Sequence, residues 1–183
     1  MRTTAQVLVD CLEAEGVDVI FGIPGEETLD LMFAIRDSKI RFIPVRHEQG
    51  AAFMAGVYGR LTGRAGVCLS TLGPGATNLV TGVADAYLDG APLVAITGQV
   101  PSYLLGRDIF QEVDITGAVA PFSKHSYLVK NANDIPRIVK EAFHIASTGR
   151  PGPLIIDIPI DIQNQELKKF QYPEEVNIRG YKP

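Results

Sequence analysis

Two hydrophobic rhythms alternate along this chain. Val7, Leu8, Cys11 and Leu12 recur at helical spacing, with Thr3 or Thr4 placed as a cap and Gly16 as a stop. A short apolar run at 17–21 then reads as a strand and ends in Gly22-Ile23-Pro24-Gly25. The exchange repeats with a helix over 27–38, a strand over 41–45, and a small-residue helix running from His47-Glu48 to Leu61, with Gly63 beyond it. Strands are expected over 66–71 and 92–97. Between them lies a helix over 77–88, entered through a loop at Gly73-Pro74-Gly75. From 98 to 124 the rhythm is irregular, with short helical pieces, and a further strand is expected over 127–129. Asn133 is placed to cap a helix over 134–148 that Gly149 stops, and 154–158 reads as a largely β-branched run.

A continuous apolar run suits a strand covered on both faces. Strands alternating with helices then define an α/β doubly wound fold, with a mostly parallel sheet of about six strands and helices on both faces. Right-handed crossovers would gather the loops at 22–25, 45–50 and 71–78 at the carboxyl edge of that sheet, where ligands bind in open α/β folds. After Asp161 the chain turns polar and loses its period. Residues 1–162 therefore read as one domain and 163–183 as a tail or linker, and no internal repeat is present.

Composition narrows the partners. The 183 residues carry 17 basic and 21 acidic side chains, a net charge of −4, without a Lys/Arg cluster. A nucleic-acid or anionic-membrane footprint is thereby disfavoured. Cys11 and Cys68 sit in apolar stretches and read as core thiols of a reducing compartment. No basic-then-apolar leader opens the chain and no run approaches the length of a membrane span, so a cytoplasmic location is expected.

Glu48 is the most informative candidate. It follows a strand and leads into Gly50-Ala51-Ala52-Phe53-Met54, a stretch too small and apolar to solvate a carboxylate well. A carboxyl group so shielded can work as a general acid or base, or it can simply favour the positive end of the helix dipole. His47 is open to the same choice between base and cap. The segment Gly73-Pro74-Gly75-Ala76-Thr77-Asn78 leads into a helix N-terminus and can be an anion cradle or a tight packing turn. It lacks the P-loop and dinucleotide fingerprints. Asp108, Gln111, Glu112 and Asp114 form a polar cluster in the irregular segment. The histidines His47, His125 and His144 lie far apart, so no metal set is expected within the chain.

Six segments in register add what spacing alone does not: Phe21-Gly22-Ile23-Pro24-Gly25, Arg46-His47-Glu48-Gln49-Gly50-Ala51, Gly73-Pro74-Gly75-Ala76-Thr77-Asn78, Thr97-Gly98-Gln99-Val100, Phe110-Gln111-Glu112 and Gly149-Arg150-Pro151-Gly152-Pro153. Their order and spacing resemble the N-terminal, pyrimidine-binding domain of acetolactate synthases, within the pyruvate oxidase-like group of thiamine diphosphate enzymes. The resemblance runs from the first helix to Asp161. It implies that Glu48 hydrogen-bonds the pyrimidine ring of thiamine diphosphate and helps that ring move a proton. Pro24 and Gly25 match the loop beside the pyrimidine, and Thr71, Pro74 and Asn78 match the next loop. Gln111 matches a glutamine near the reacting carbon, where an amide can stabilise an oxyanion. Arg150 matches an arginine that contacts FAD in flavin-carrying members.

The resemblance further implies a small 2-oxo acid substrate such as pyruvate, decarboxylation followed by ligation to a second 2-oxo acid, and a place in branched-chain amino-acid biosynthesis. It also implies a homodimer or dimer of dimers, in which the diphosphate-binding domain of another subunit completes the site. The family's Gly-Asp-Gly and Asn-Asn elements, which hold the diphosphate and Mg²⁺, do not occur between Met1 and Pro183. The chain thus reads as one domain of a longer protein, inactive alone. One position departs: Ile160 stands in Ile158-Pro159-Ile160-Asp161 where the family often has lysine. That departure leaves room for a pyruvate oxidase-like or other carboligase reaction, and a non-catalytic binding module of this fold is the remaining alternative.

Overall fold

In the computed structural model, which describes residues 1–183, the chain passes from a short strand, β1 (Arg2–Thr3), straight into α1 (Thr4–Ala14). The Gln6 amide donates to the Thr3 hydroxyl, and the Thr3 amide donates to the Gln6 side chain, closing a capping box. β2 (Val19–Gly22) follows, then a 3₁₀ turn at Glu26–Thr28 and α2 (Leu29–Arg36). β3 (Arg41–Pro44) leads into α3 (Glu48–Thr62), which ends at Gly63 in the left-handed region. Next come β4 (Gly66–Ser70), α4 (Gly73–Asn78), α5 (Val80–Asp89) and β5 (Leu93–Gln99). α6 (Ile115–Val119), β6 (His125–Leu128), α7 (Ile135–Ser147) and β7 (Pro153–Pro159) complete the main body. α8 (Ile160–Gln163) and β8 (Glu166–Leu167) close the chain's regular structure.

Six of these strands form one all-parallel sheet in the order β3-β2-β4-β5-β7-β6, as the alternation of elements required. Period-two alternation divides the strand side chains between two cores. Ile20, Val67, Leu69, Val94, Ile96, Leu154 and Ile156 face α1, α2 and α7. Val19, Phe21, Cys68, Leu93, Ala95 and Ile155 face α3 and α5. Each fully buried Leu or Ile contributes roughly 1.5–3 kcal/mol by leaving water. No helix is long and apolar enough to cross a membrane.

Small residues set how closely α3 lies on the sheet. A Cβ on Gly59 would stand 2.2 Å from the Pro92 carbonyl oxygen, and one on Gly66 would stand 2.0 Å from that of Ala55. The helix backbone therefore rests almost directly on β4 and β5. A larger side chain at either position would lift α3 and carry its first residue, Glu48, out of place.

Three local expectations are corrected. Gly73-Pro74-Gly75 is the first turn of α4 and not a loop, because the fixed φ of Pro74 suits a helix start, where its missing N–H costs nothing. Asn133 does not cap α7: it lies inside a 3₁₀ turn, Ala132–Asp134, that leads into the helix. That turn is itself capped by Asn131, whose side chain accepts from the Asn133 amide at 3.0 Å, while Asp134 precedes α7 without a side-chain cap. Residues 163–183, expected as a polar tail, fold back on the body. β8 pairs antiparallel with β1, and the Tyr172 hydroxyl donates to Glu15 at 2.6 Å. The Lys124 ammonium donates to the Tyr181 hydroxyl at 3.1 Å and to the Thr148 carbonyl at 2.7 Å.

Candidate cofactor site

The chain runs from β2 to the sheet edge at β3, then returns across β2 to β4. The loops after β2 and β4 thus leave neighbouring strands in opposite directions, the arrangement that opens a ligand crevice at the carboxyl edge. The two loops touch. A Cβ on Gly22 would lie 2.2 Å from the Leu69 carbonyl oxygen, and one on Gly25 would lie 2.3 Å from the Thr71 Cβ. Only glycine fits at these two positions. Pro24 lies between them, and the Thr28 hydroxyl holds the turn by accepting from the Gly25 amide and donating to the Gly25 carbonyl, both at 3.0 Å. The Thr71 hydroxyl donates to the Glu27 carboxylate at 2.8 Å, a tie between the loops.

Glu48 opens α3 from behind these loops and is only 7% exposed. One carboxylate oxygen, Oε2, accepts from the Asn78 side-chain amide at 2.9 Å. The other, Oε1, has no hydrogen-bond partner and no cation pairs with the group. Oε1 lies 3.2 Å from where a Cβ of Gly75 would stand. A side chain at position 75 would crowd this oxygen; with glycine there, Oε1 stays uncrowded. His47 is the cap of α3: its Nδ1 accepts from the Gln49 amide at 3.2 Å, which gives it the capping role of the two considered.

Gln111 reaches the same edge from the segment after β5. Its backbone is left-handed, with φ 60°, and its carbonyl oxygen would be 2.2 Å from a Cβ on Gly73. Its neighbours are organised by carboxylates. Glu112 accepts from the amides of Gly106 and Ile109, which holds its carboxyl below the usual range. Asp114 caps α6 by accepting from the Gly117 amide at 2.9 Å and from Thr116 at 2.7 Å. Those two acidic residues of the polar cluster are therefore committed to local structure.

The structure brings Pro24, Gly25, Glu48, Thr71, Asn78 and the Gln111 backbone to one end of the sheet. Pro74 stands exposed on the first turn of α4, at the same end. Arg150 lies elsewhere. It precedes β7 at the opposite, amino edge, about 20 Å away at the usual rise per residue of a strand. There its guanidinium donates to the Leu88 and Tyr87 carbonyls at 2.6 and 3.3 Å, closing the C-terminal end of α5. Two residues escaped sequence reasoning. Glu27, which ties the loops, looked like one acidic helix residue among several. Asp157, buried beneath the edge, looked like one polar residue within an apolar strand, and that break in the run was its only signal.

Comparison with known proteins fits this geometry. Residues 2–118 match the family model described as thiamine pyrophosphate enzyme, N-terminal TPP binding domain. The chain belongs to that family of thiamine pyrophosphate (thiamine diphosphate) enzyme domains. It is 53% identical over 99% of its length to the acetolactate synthase large subunit of Corynebacterium glutamicum, covering 29% of that protein. It is 50% identical over 98% of its length to the probable acetolactate synthase large subunit of Methanocaldococcus jannaschii, covering 31% of it. Against acetolactate synthase 3, chloroplastic, of Brassica napus the identity is 49% over 98% of the chain and 28% of the relative. The chain thus spans under a third of the length of these curated relatives.

Proposed function

We propose that this chain is the pyrimidine-binding part of an acetolactate synthase, an enzyme that decarboxylates pyruvate and joins the two-carbon unit to a second 2-oxo acid in branched-chain amino-acid biosynthesis. The observation that carries this is the Glu48 carboxylate, buried at the switch-point crevice with one oxygen fixed by Asn78 and the other free. Bound thiamine diphosphate would supply the reactive carbon and the electron sink for loss of carbon dioxide. Glu48 would hold or yield a proton at Oε1, the carboxylate oxygen that Asn78 leaves free. The loops of Pro24, Gly25, Thr71, Pro74 and Asn78 would hold the pyrimidine at the sheet edge, and Gln111 would offer its amide to developing oxyanion charge.

The diphosphate and Mg²⁺ are held by a further domain, and another subunit supplies it. An apolar stripe supports that arrangement. Met54, Val57 and Leu61 are 41%, 54% and 82% exposed on the helix that Glu48 opens. With Phe21, Phe53 and Tyr58 they line a shallow depression of about 400 Å³. A homodimer or dimer of dimers would cover it. FAD, where present, would meet Arg150 through the same assembly. Free buried thiols at Cys11 and Cys68, both raised to about 12 by burial first of all, suit a reducing cytoplasmic setting.

Ile160, in place of the family's lysine, supports a second reading, a pyruvate oxidase-like reaction in the same site. One experiment separates the two. The complete protein carrying this chain is incubated in air with pyruvate, thiamine diphosphate, Mg²⁺, FAD and inorganic phosphate, so that phosphate and an electron acceptor are present for the second reading, and its products are identified. Acetolactate establishes the first reading; acetyl phosphate or acetaldehyde in its place establishes the second; no pyruvate consumption overturns both.

A further inference from the structure

The segment from Val100 to Asp114 carries Gln111 to the crevice with little burial of its own. Only Val100 within it is buried, and it contains Gly106, Asp108 and Gln111 in left-handed backbone, the latter two being the only non-glycine residues of the chain with that geometry. Such geometry persists only where the surroundings impose it. At the start of the segment, Asp161 accepts from the Ser102 amide at 2.8 Å and from its hydroxyl at 2.6 Å. Near its end the hold comes from beneath.

Asp157 of β7 and Gln99 of β5 are 1% and 2% exposed. One Asp157 oxygen accepts from the Thr97 hydroxyl at 2.6 Å, and the other accepts from Gln99 Nε2 at 2.9 Å. The second proton of Gln99 Nε2 goes to the Val113 carbonyl at 3.0 Å, and Gln99 Oε1 accepts from the Val100 amide at 2.9 Å. All polar atoms of the Gln99 side chain are thus used, and Asp157, the Val113 carbonyl and the Val100 amide together fix its orientation. Asp157 supplies the side-chain acceptor that anchors the amide nitrogen from the sheet side.

We infer that Asp157 is a positioning residue. Through Gln99 it grips the Val113 carbonyl and so sets the loop that presents Gln111. The functional part of this inference rests on the assignment of Gln111 to the cofactor site; the tether itself does not.

The test is amide hydrogen exchange, followed by mass spectrometry, in the complete protein carrying this chain. Peptides covering 109–114 report the loop, and peptides covering 93–98 and 153–157 report whether the sheet stays folded. Asp157→Leu removes the acceptor for Gln99 Nε2 and should speed exchange in 109–114 by about tenfold or more, the sheet peptides staying protected. Gln99→Met cuts the same link and should match it, and serves alone if Asp157→Leu does not fold. The double variant should be no faster than Gln99→Met, because Asp157 acts only through Gln99. In both single variants kcat should fall several-fold with KM little changed. Unchanged exchange in 109–114, or additive effects in the double variant, would overturn the tether. Normal turnover in Gln111→Ala, with the loop still loosened by Asp157→Leu, would instead remove the role of Gln111 and leave the tether standing.

Discussion

Asn78→Ala removes the only hydrogen-bond donor on the Glu48 carboxylate and leaves a group that is 7% exposed without partner or cation. At 2.9 Å the lost contact is a charge-assisted bond, and such bonds contribute roughly 1.5–3 kcal/mol to stability. The cost falls on the buried carboxylate, so it should vanish when Glu48 is also alanine. The assay is urea unfolding of the 183-residue chain as wild type, Glu48→Ala, Asn78→Ala and the double variant. The expected coupling between the two sites is about 1–3 kcal/mol, with the double variant no less stable than Asn78→Ala by more than the Glu48→Ala packing loss. Coupling below about 0.5 kcal/mol would mean that the two side chains do not share this bond, and the account of a fixed carboxylate oxygen would fail.

Burial above all pushes the Asp157 carboxyl up to about 7, opposed by its bonds from Thr97 and Gln99, with Asp114 adding to the rise. The folded chain then holds this proton more tightly than the unfolded chain, whose value is about 3.9. That contribution to stability is complete below about pH 4 and is lost as pH rises to about 7. Wild type should therefore lose stability relative to Asp157→Asn across that window, by a few kcal/mol at most, in urea unfolding at several pH values. The slope of the difference carries the test, since Asn at 157 cannot titrate; parallel curves would refute it. Arg150→Ala removes the hold on the last carbonyls of α5 and should cost about 1 kcal/mol of stability, while leaving thiamine diphosphate affinity of the complete protein unchanged. A tenfold loss of that affinity would place Arg150 at the site. Gly25→Ala drives a methyl into Thr71 and should destabilise the chain by about 1–3 kcal/mol in the same urea assay, with weaker cofactor binding; a neutral result would show that the two loops do not touch.

Much of the architecture was legible because it rests on local period. The strands at 66–71 and 154–158 are mostly apolar runs, broken only by Ser70 and Thr71 at the end of one and by Asp157 in the other, and each helix between strands repeats at about 3.6 residues, so a parallel sheet covered on both faces followed directly. What escaped depends on partners distant in sequence or on competing local signals. Gly73-Pro74-Gly75 has the composition of a turn, yet Pro74 sits where a helix tolerates it best. Asn131 and Asn133 both suit a cap, and only the backbone shows which one serves. The pairing of β8 with β1 joins the two ends of the chain, and no local pattern encodes it. In the site, Glu48 stood out as a carboxylate leading into a stretch of small residues. Its bond to Asn78 spans thirty residues and became visible only in three dimensions. Asp157, Gln99 and Thr97 lie on neighbouring strands, so their network is a product of register: Thr97 is opposite Asp157 and Gln99 opposite Pro159. Arg150 was grouped with the site through resemblance, and its place at the amino edge is set by the direction of β7.

The most direct test of the central claim is the turnover of pyruvate by Glu48→Gln in the complete protein, at saturating thiamine diphosphate and Mg²⁺. Gln keeps the shape and a hydrogen bond with Asn78 but cannot exchange a proton. Turnover should fall by about 10²–10⁴-fold, the usual worth of acid–base help. Turnover within a few-fold of wild type would contradict the assignment of Glu48 as the group that serves the cofactor.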